Sequence, residues 1–376
     1  MDSIPAPPVL VTGAAGFIGF HVAKRLLARG EAVLGVDNLN GYYDVRLKRA
    51  RLRELRRHEG FEFRRVELAD REATRALFDG CAPERVVHLA AQAGVRHSLD
   101  NPAAYVDANV VALGNVLEGC RHARTQHLLF ASSSSVYGAA GEGAVDEANR
   151  TDRPISLYAA TKAAGEAMAY AYAHLYGLPV TALCFFTVYG PWGRPDMAYF
   201  LFADAIEAGL PIQLYNGGQM KRDFTYVGDV AEGVVRALYR PASGAVRGGT
   251  PEAPYDVFNV GSDRPVELSA FVRALEDAMG REARKEMLPM QPGDVPSTHA
   301  DVERLRGAVG YQPETPLEEG LRAFVDWYRR TWLAIARGEG AGTGPVTGQA
   351  RPRDEAPEAD PGGVERDAGA ALPRVA

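Results

Sequence analysis

Tyr158 and Lys162 stand four residues apart in the run YAATK. On a helix that spacing puts both side chains on one face. A tyrosine hydroxyl with an ordinary pKa of about 10 is a poor base at neutral pH. A nearby ammonium favours the phenolate and lowers that pKa, so the pair could take a proton from a hydroxyl while hydride leaves the same carbon. Tyr and Lys at helical spacing are common, and the pair gains meaning from its surroundings. Upstream, ASSSSVYG (131–138) follows an apolar run, so Ser133, Ser134 and Ser135 could line a cleft at the end of a strand. The same serines also read as a flexible polar loop.

A hydride needs an acceptor, and the N-terminal stretch offers a place for one. Gly13, Gly16 and Gly19 form G-x-x-G-x-x-G between the apolar run PVLVT (8–12) and a segment of helical periodicity. Glycine there supplies a tight turn and lets the backbone approach a pyrophosphate; the helix N-terminus that follows offers N–H groups and its dipole. The next apolar run, AVLGV (32–36), ends in Asp37. A carboxylate at that place accepts hydrogen bonds from the adenosine ribose and repels a 2′-phosphate, which predicts NAD rather than NADP. Asp37 has a second reading, as a surface acid in the turn-like DNLN. The segment after it carries Arg46, Lys48, Arg49, Arg51, Arg53, Arg56 and Arg57 interleaved with Val45, Leu47, Leu52 and Leu55. We read it as a solvated amphipathic helix rather than a phosphate-binding patch.

These residues need a scaffold. Beyond the first strand–turn–helix–strand unit, strands are expected at 61–66, 85–89, 127–131 and 179–185, with helices at 43–57, 71–79, 102–122 and 158–176. The alternation predicts an α/β fold: a Rossmann-type, doubly wound parallel sheet with right-handed crossovers. After about residue 186 loops lengthen and strands shorten (212–214, 256–259), which suggests a smaller C-terminal substrate-binding region. The expected division is therefore 1–185, an NAD-binding domain carrying the catalytic residues; 186–337, mainly substrate binding; and 338–376, a disordered tail. That tail has eight glycines, five prolines, one leucine and no aromatic residue, too little apolar surface to offset the entropy of ordering it.

The bulk numbers exclude several classes. Among 376 residues, 46% are hydrophobic, enough for one large core or two fused ones. A net charge of −6 gives neither a nucleic-acid nor a membrane-surface footprint. Cys81, Cys120 and Cys184 lack metal-ligand or CxxC spacing, so no metal is expected and the thiols suit a reducing compartment. The N-terminus lacks the pattern of a signal peptide, and no apolar run approaches the roughly 20 residues of a membrane span. A cytoplasmic enzyme is the expectation.

Taken together, the motifs resemble the extended short-chain dehydrogenase/reductase superfamily, and more closely the UDP-glucuronate 4-epimerases. The matching segments are TGAAGFIG (12–19), VDNLNGYYDVRLKRARL (36–52), HLAAQAGVRHSLDNPAAYVDAN (88–109), ASSSSVYG, YAATK, FFTVYGPWGRPDMA (185–198), MKRDFTYVGDV (220–230) and MQPGDVP (290–296). The glycine turn and YxxxK specify only the superfamily; FFTVYGPWGRPDMA and MQPGDVP point to the glucuronate branch. The resemblance implies Tyr158 as base, Lys162 as its ribose-binding partner and Ser133 on the sugar oxygen, with Ser134 and Ser135 beside it. It places NAD against Gly13, Gly16, Phe17, Ile18, Gly19, Asp37, Asn38, Glu67, Leu68, Leu89, Ala90, Ala91, Gln92 and Asn109. It places the sugar carboxylate against Thr187 and Arg194, and the UDP portion against Arg222 and Asp294. Two departures stand out: Glu67 where the family has an aspartate at adenine, and His97 where it has a tyrosine.

The resemblance also separates neighbouring reactions. Dehydratases and decarboxylases of the superfamily carry an acid just before VYG; here the position is Ser135. The expectation is C4 epimerisation of UDP-glucuronate through a transient 4-keto sugar. The alternatives are a UDP-glucose or UDP-N-acetylglucosamine 4-epimerase, a nucleotide-sugar decarboxylase and a non-catalytic NAD sensor. Arg194 also has a plain reading, as a surface arginine in a proline-rich loop. Helices 102–122 and 158–176 carry small residues, including Ala163, Ala164, Gly165, Ala167 and Ala171, and the resemblance implies a homodimer through them.

Overall fold

Apolar runs that end in glycine, acid or serine become the strands of one parallel sheet. The computed structural model describes residues 7–139, 143–149, 152–243, 246–247, 250–251, 253–291 and 293–338. Its sheet contains β1 (Val9–Thr12), β2 (Val33–Asp37), β3 (Phe61–Arg65), β4 (Arg85–His88), β5 (His127–Ser133), β6 (Val180–Phe185) and the later strand Tyr255–Val260. The order is β3-β2-β1-β4-β5-β6 and then Tyr255–Val260, every neighbour parallel. The order reverses between β1 and β4, which opens a crevice at the carboxyl ends of the strands. Side chains alternate between two cores. Val9, Val11, Val33, Val87 and Leu129 face one, while Leu10, Leu34, Val86, Leu128 and Phe130 face the other. Burial on both faces explains why β1, β2 and β6 read as nearly continuous apolar runs, whereas the edge strand β3, FEFRR, does not.

The strand expected at 256–259 does not belong to a separate C-terminal unit. Residues Tyr255–Val260 pair with β6 from Val180 to Phe185 and form the far edge of the main sheet. The helix Val227–Leu238 packs on α1 (Phe17–Ala28), joined at the surface by Arg25 and Glu232. A cut at residue 185/186 therefore passes through the sheet's own wrapping: chain beyond 186 supplies one strand and one covering helix to the Rossmann unit. The rest of that region forms a third core of aromatic residues, among them Tyr199, Phe200, Phe271, Phe324 and Trp327. Around it lie β7 (Thr187–Tyr189), β8 (Pro211–Leu214) and β9 (Lys221–Tyr226), the last pairing with both β7 and Pro265–Glu267. The expected tail lies outside the described residues from 339 onward. Among the described residues, no helix is long and apolar enough to cross a membrane.

Two histidines are held deep in the sheet. His127 is wholly buried, with Nδ1 3.0 Å from the Leu238 carbonyl and Nε2 3.0 Å from the Thr181 hydroxyl. Burial pushes its pKa down from 6.5 to about 4, and that of His88 to about 3. Between pH 4 and 6.5 the unfolded chain binds a proton at His127 that the native state does not, so this contribution is complete above pH 6.5 and is lost as pH falls through that window. A His127→Gln variant lacks the titration. The stability difference between wild type and variant, measured by urea unfolding, should move against the wild type by about 2 kcal/mol between pH 7.5 and 5. A pH-independent difference would show that His127 is not held neutral.

Candidate active site

The glycine turn is built to let something approach its backbone. Gly13 has φ of +67°, and a Cβ there would lie 2.8 Å from the Ala90 nitrogen. A Cβ on Gly16 would lie 2.9 Å from the Gly13 carbonyl oxygen, and one on Gly19 would collide with it. Helix α1 starts at Phe17 with Gly16 as its N-cap and no side chain over its N–H groups, an anion-receptive end. Asp37 closes β2, 6% exposed, and lines the same cleft. That excludes its reading as a surface acid, although it also accepts from the Leu39 backbone N–H at 2.8 Å. The glycine turn and Asp37 fit a dinucleotide.

Most of the other expected cofactor residues line this cleft: Phe17, Ile18, Asn38, Glu67, Leu68 and the stretch Leu89–Gln92. Glu67 accepts from Asn38 Nδ2 at 2.8 Å and from Ala69 N–H at 3.1 Å, so its longer side chain is tied at the rim. Asn109 is the exception. It lies in a π-helical turn, Asp107–Val111, and is buried. It accepts from Gln92 N–H at 2.8 Å and donates to the Gln92 carbonyl and the Thr161 hydroxyl, both at 3.0 Å. Asn109 therefore stands behind the wall and fixes the Gln92 loop to the helix Leu157–Tyr176.

That helix begins under the side chain of Ser156, which accepts from Ala159 N–H at 3.1 Å. The cap puts Tyr158 in the first turn and Lys162 one turn later, both lining the cleft. Opposite, β5 runs into a 3-10 turn, Ser134–Tyr137. The Ser133 hydroxyl caps that turn, accepting from Ser135 N–H and donating to Ser135 Oγ, each at 3.2 Å. The serine run is thus a strand end and a capped turn, not an irregular polar loop. Burial raises the Tyr158 hydroxyl above its ordinary value, and the Ser133 hydrogen bond and then the Arg194 charge pull it back. The Lys162 ammonium donates to the Ala131 carbonyl at 2.9 Å and stands 5.9 Å from the centre of the Tyr158 ring. Burial lowers Lys162 to about 8, opposed by the charge of Glu166.

The sugar side is less simple than the motif suggests. Thr187 and Arg194 line the cleft, and Arg194 is no free surface arginine. Its Nη2 lies 2.6 Å and its Nε 3.0 Å from the two oxygens of Asp196. Burial opposes the Arg194 charge, and Asp196 more than restores it. Arg222 and Asp294 sit apart from the cleft lining. Arg222 donates to the Lys221 and Pro296 carbonyls, both at 3.0 Å, while Asp294 pairs with Arg96 at 2.9 Å.

The sequence reading missed the cations of α2 (Val45–Leu55). Arg51 is 0% exposed. It donates to the carbonyls of Ala15 (2.8 Å), Trp192 (2.6 and 3.1 Å) and Gly193 (3.0 Å), and to the Tyr43 hydroxyl (2.7 Å). Lys48, also buried, donates to Asn40 Oδ1 at 2.8 Å and stands 3.7 Å from Asp37. The helix is not solvated on that face. The signal was present, because 47, 48, 51, 52 and 55 form one helical stripe. Glu166, another omission, accepts from Ser132 Oγ and, at 3.5 Å, from Cys184.

Arg51 joins the glycine turn to the loop holding Arg194, so its loss should reach both. Arg51→Ala should cost about 3–5 kcal/mol in urea unfolding, from orphaned carbonyls and a lost buried cation. Arg51→Lys, which cannot fork two carbonyls, should recover only part of that. A cost under about 1 kcal/mol, typical of exposed ion pairs, would demote Arg51 to a surface-like role.

Comparison with known proteins agrees with this geometry. Residues 9–261 match the NAD dependent epimerase/dehydratase family. A Rhizobium meliloti protein named "Probable UDP-glucuronate 4-epimerase" is 50% identical over 332 residues, covering 86% of this chain and 97% of its own. The UDP-glucuronic acid 4-epimerase of Bacillus cereus, solved with UDP-glucuronic acid and NAD, superposes with a TM-score of 0.78 at 32% identity, over 86% of this chain and 99% of that one. The Thermus thermophilus UDP-glucose 4-epimerase with NAD gives 0.76 at 34%, with the same coverage. A nucleotide cradle at a Rossmann crevice, a Tyr–Lys helix facing a capped serine turn, and a family match across two-thirds of the sequence lead to one statement: this chain belongs to the NAD dependent epimerase/dehydratase family.

Proposed function

We propose that this protein is an NAD-dependent isomerase that epimerises UDP-glucuronate at C4, giving UDP-galacturonate with no net redox change. The observation that carries the reading is the meeting of Tyr158, Ser133 and Lys162 in the glycine-turn cleft, with Ser135 and not a carboxylate before Val136. The hydrogen at C4 is not acidic. When bound, NAD would supply the hydride acceptor and, in its oxidised form, a positive charge that favours the phenolate. Tyr158 takes the O4 proton, and Ser133 hydrogen-bonds the same oxygen. The 4-keto sugar then turns, hydride returns to C4 on its other face, and Tyr158 returns the proton to O4. Lys162, whose ammonium stands near the Tyr158 ring, is assigned to hold the ribose and to favour the phenolate. Arg222 and Asp294, with Arg96, are assigned to the UDP portion.

A 4-keto-glucuronate is a β-keto acid and loses CO2 once the breaking C–C bond aligns with the ketone. Ser135, Thr187 and Arg194 are assigned to hold the carboxylate away from that alignment by directional hydrogen bonds. A second reading, 4-epimerisation of a neutral UDP-hexose, has one observation in its favour. Asp196 already engages Arg194, which leaves that subsite without net charge. Incubation with UDP-glucuronate and UDP-glucose separately, with products identified by NMR, decides between them. UDP-galacturonate and little CO2 is the expected result. UDP-xylose or a 4-keto pentose would mean decarboxylation, and turnover of UDP-glucose alone would favour the second reading. Tyr158→Phe should lose nearly all turnover while retaining NAD.

The same reading makes the protein a homodimer, acting in the reducing cytoplasm that its three free thiols suit. Gly165 is buried against Leu113, whereas Ala164 and Ala167 are exposed beside Tyr170 at 51% and Leu175 at 66%. The neighbouring helical stretch exposes Val106 and Val111 at 42% and 40%. An apolar face of that kind on two adjacent helices is suited to a self-complementary contact. Ala167→Arg should convert a dimer into a monomer in sedimentation; a wild-type monomer at micromolar concentration would end the proposal.

A further inference from the structure

The Arg194–Asp196 pair poses a problem for a carboxylate anchor. The Nε/Nη2 edge of the guanidinium, the edge suited to a bidentate carboxylate, is engaged by Asp196. Asp196 is itself fixed from the cofactor side. Its Oδ2 accepts from the Tyr42 hydroxyl at 3.2 Å, and the Tyr42 ring lies 5.0 Å from that of His97. Close packing holds Tyr42 there, since a Cβ on Gly94 would collide with its hydroxyl. Arg194 and Tyr42 line the cleft and Asp196 does not. Behind the Arg194 cation thus stands a fixed negative charge. The Arg194 guanidinium holds the Asp196 carboxyl below the usual range against the effect of burial.

We infer that Asp196 is a positioning residue that keeps the carboxylate anchor weak, so that the keto sugar can release Arg194 and turn between the two half-reactions. The inference rests on the carboxylate role given to Arg194 above. Hydride leaves one face of C4 and returns to the other, so the ring must swap faces while the UDP end stays held. The carboxylate moves with the ring and must let go of whatever held it first. A bare, partly desolvated guanidinium would grip it through two parallel charge-assisted bonds, and that grip would deepen the well from which rotation starts. With Asp196 in place, only the outer edge of Arg194 meets the sugar, and the nearby like charge opposes the carboxylate. Binding energy is sacrificed where tight binding would slow turnover.

Charge-neutralising substitution at 196 tests this. Binding is measured by calorimetry on NAD-loaded protein in a Tyr158→Phe background, where the sugar is held without being turned over, and kcat with Tyr158 intact. Asp196→Asn should tighten UDP-glucuronate roughly five- to ten-fold, the effect of removing a like charge several ångströms away in a half-polar site. UDP alone should bind as before, and kcat should fall. Asp196→Glu, which keeps the charge, should stay near the parent in both. Asp196→Ser replaces the asparagine variant should the latter fail to fold. UDP-glucuronate binding that is unchanged or weaker would overturn the inference, as would tighter binding with undiminished kcat. Failure of the wild type to make UDP-galacturonate is a separate result, and it would remove the functional reading instead.

Discussion

The site depends on a cation that never meets solvent. Arg51 is wholly buried and satisfied by neutral oxygens alone: three carbonyls and one phenol. Taking a guanidinium out of water costs several kcal/mol, and several short hydrogen bonds in a low-dielectric setting are needed to offset it. Those bonds reach residues that are neighbours in function and distant in sequence. Ala15 lies inside the glycine turn, and Trp192 and Gly193 immediately precede Arg194. His21 adds a second tie, to the Pro191 carbonyl at 2.9 Å. The loop after β7 therefore takes its position from the same helices that frame the nucleotide. A guanidinium suits this work better than an ammonium, because its planar fork directs five donors at once.

Burial acts on Tyr158 and Lys162 in opposite senses. Removal from water raises a phenol and lowers an ammonium, and Tyr158 and Lys162 move in those opposite directions. The groups that counter burial come from three elements: Ser133 at the end of β5, Arg194 in the loop after β7, and Glu166 one turn beyond Lys162. The Ser133 hydroxyl does double work, capping the 3-10 turn and facing the phenol. Its oxygen is thus positioned by the backbone before any sugar arrives, while its O–H rotor can turn from Ser135 Oγ toward a ligand. The added positive charge that would complete the activation of Tyr158 belongs to the oxidised cofactor, so base strength and cofactor state are linked by electrostatics.

Much of this was legible in the sequence because it is local. The glycine turn, Asp37 at a strand end, the i, i+4 spacing of Tyr158 and Lys162, and the alternation of strand and helix are all read within a few tens of residues. What escaped was set by tertiary contact. The strand Tyr255–Val260 is short and follows a glycine-rich stretch, and nothing local says that it closes the edge beside β6. Asn109 sits in a matching motif, yet its amide is engaged by the Gln92 backbone and Thr161. Lys48 and Arg51 were assigned to solvent because they are charged. Their positions on the apolar stripe of α2 were the better guide, since a charge on a buried stripe must have partners elsewhere in the chain. The pairing of Arg194 with Asp196, two residues away, was in plain view as GRPD. Spacing alone does not reveal that a loop folds the two side chains together.

The groups assigned to the UDP portion and those at the sugar end differ in kind. Arg222, Arg96 and Asp294 lie among backbone carbonyls and a facing ring, with Arg96 4.7 Å from the centre of Tyr215. This is a setting in which planar and charged groups are held in one orientation. The other end offers hydroxyls from Ser133, Ser135 and Thr187 together with an arginine already engaged. Hydroxyl rotors reorient at little cost, so they can serve a sugar in either of two poses. A rigid fork cannot. An enzyme that only oxidised its substrate would gain from a tight grip along the whole length. One that must return hydride to the opposite face needs a firm hold on the part that stays still and a permissive one on the part that turns. On the assignments proposed above, the division of donors follows that requirement.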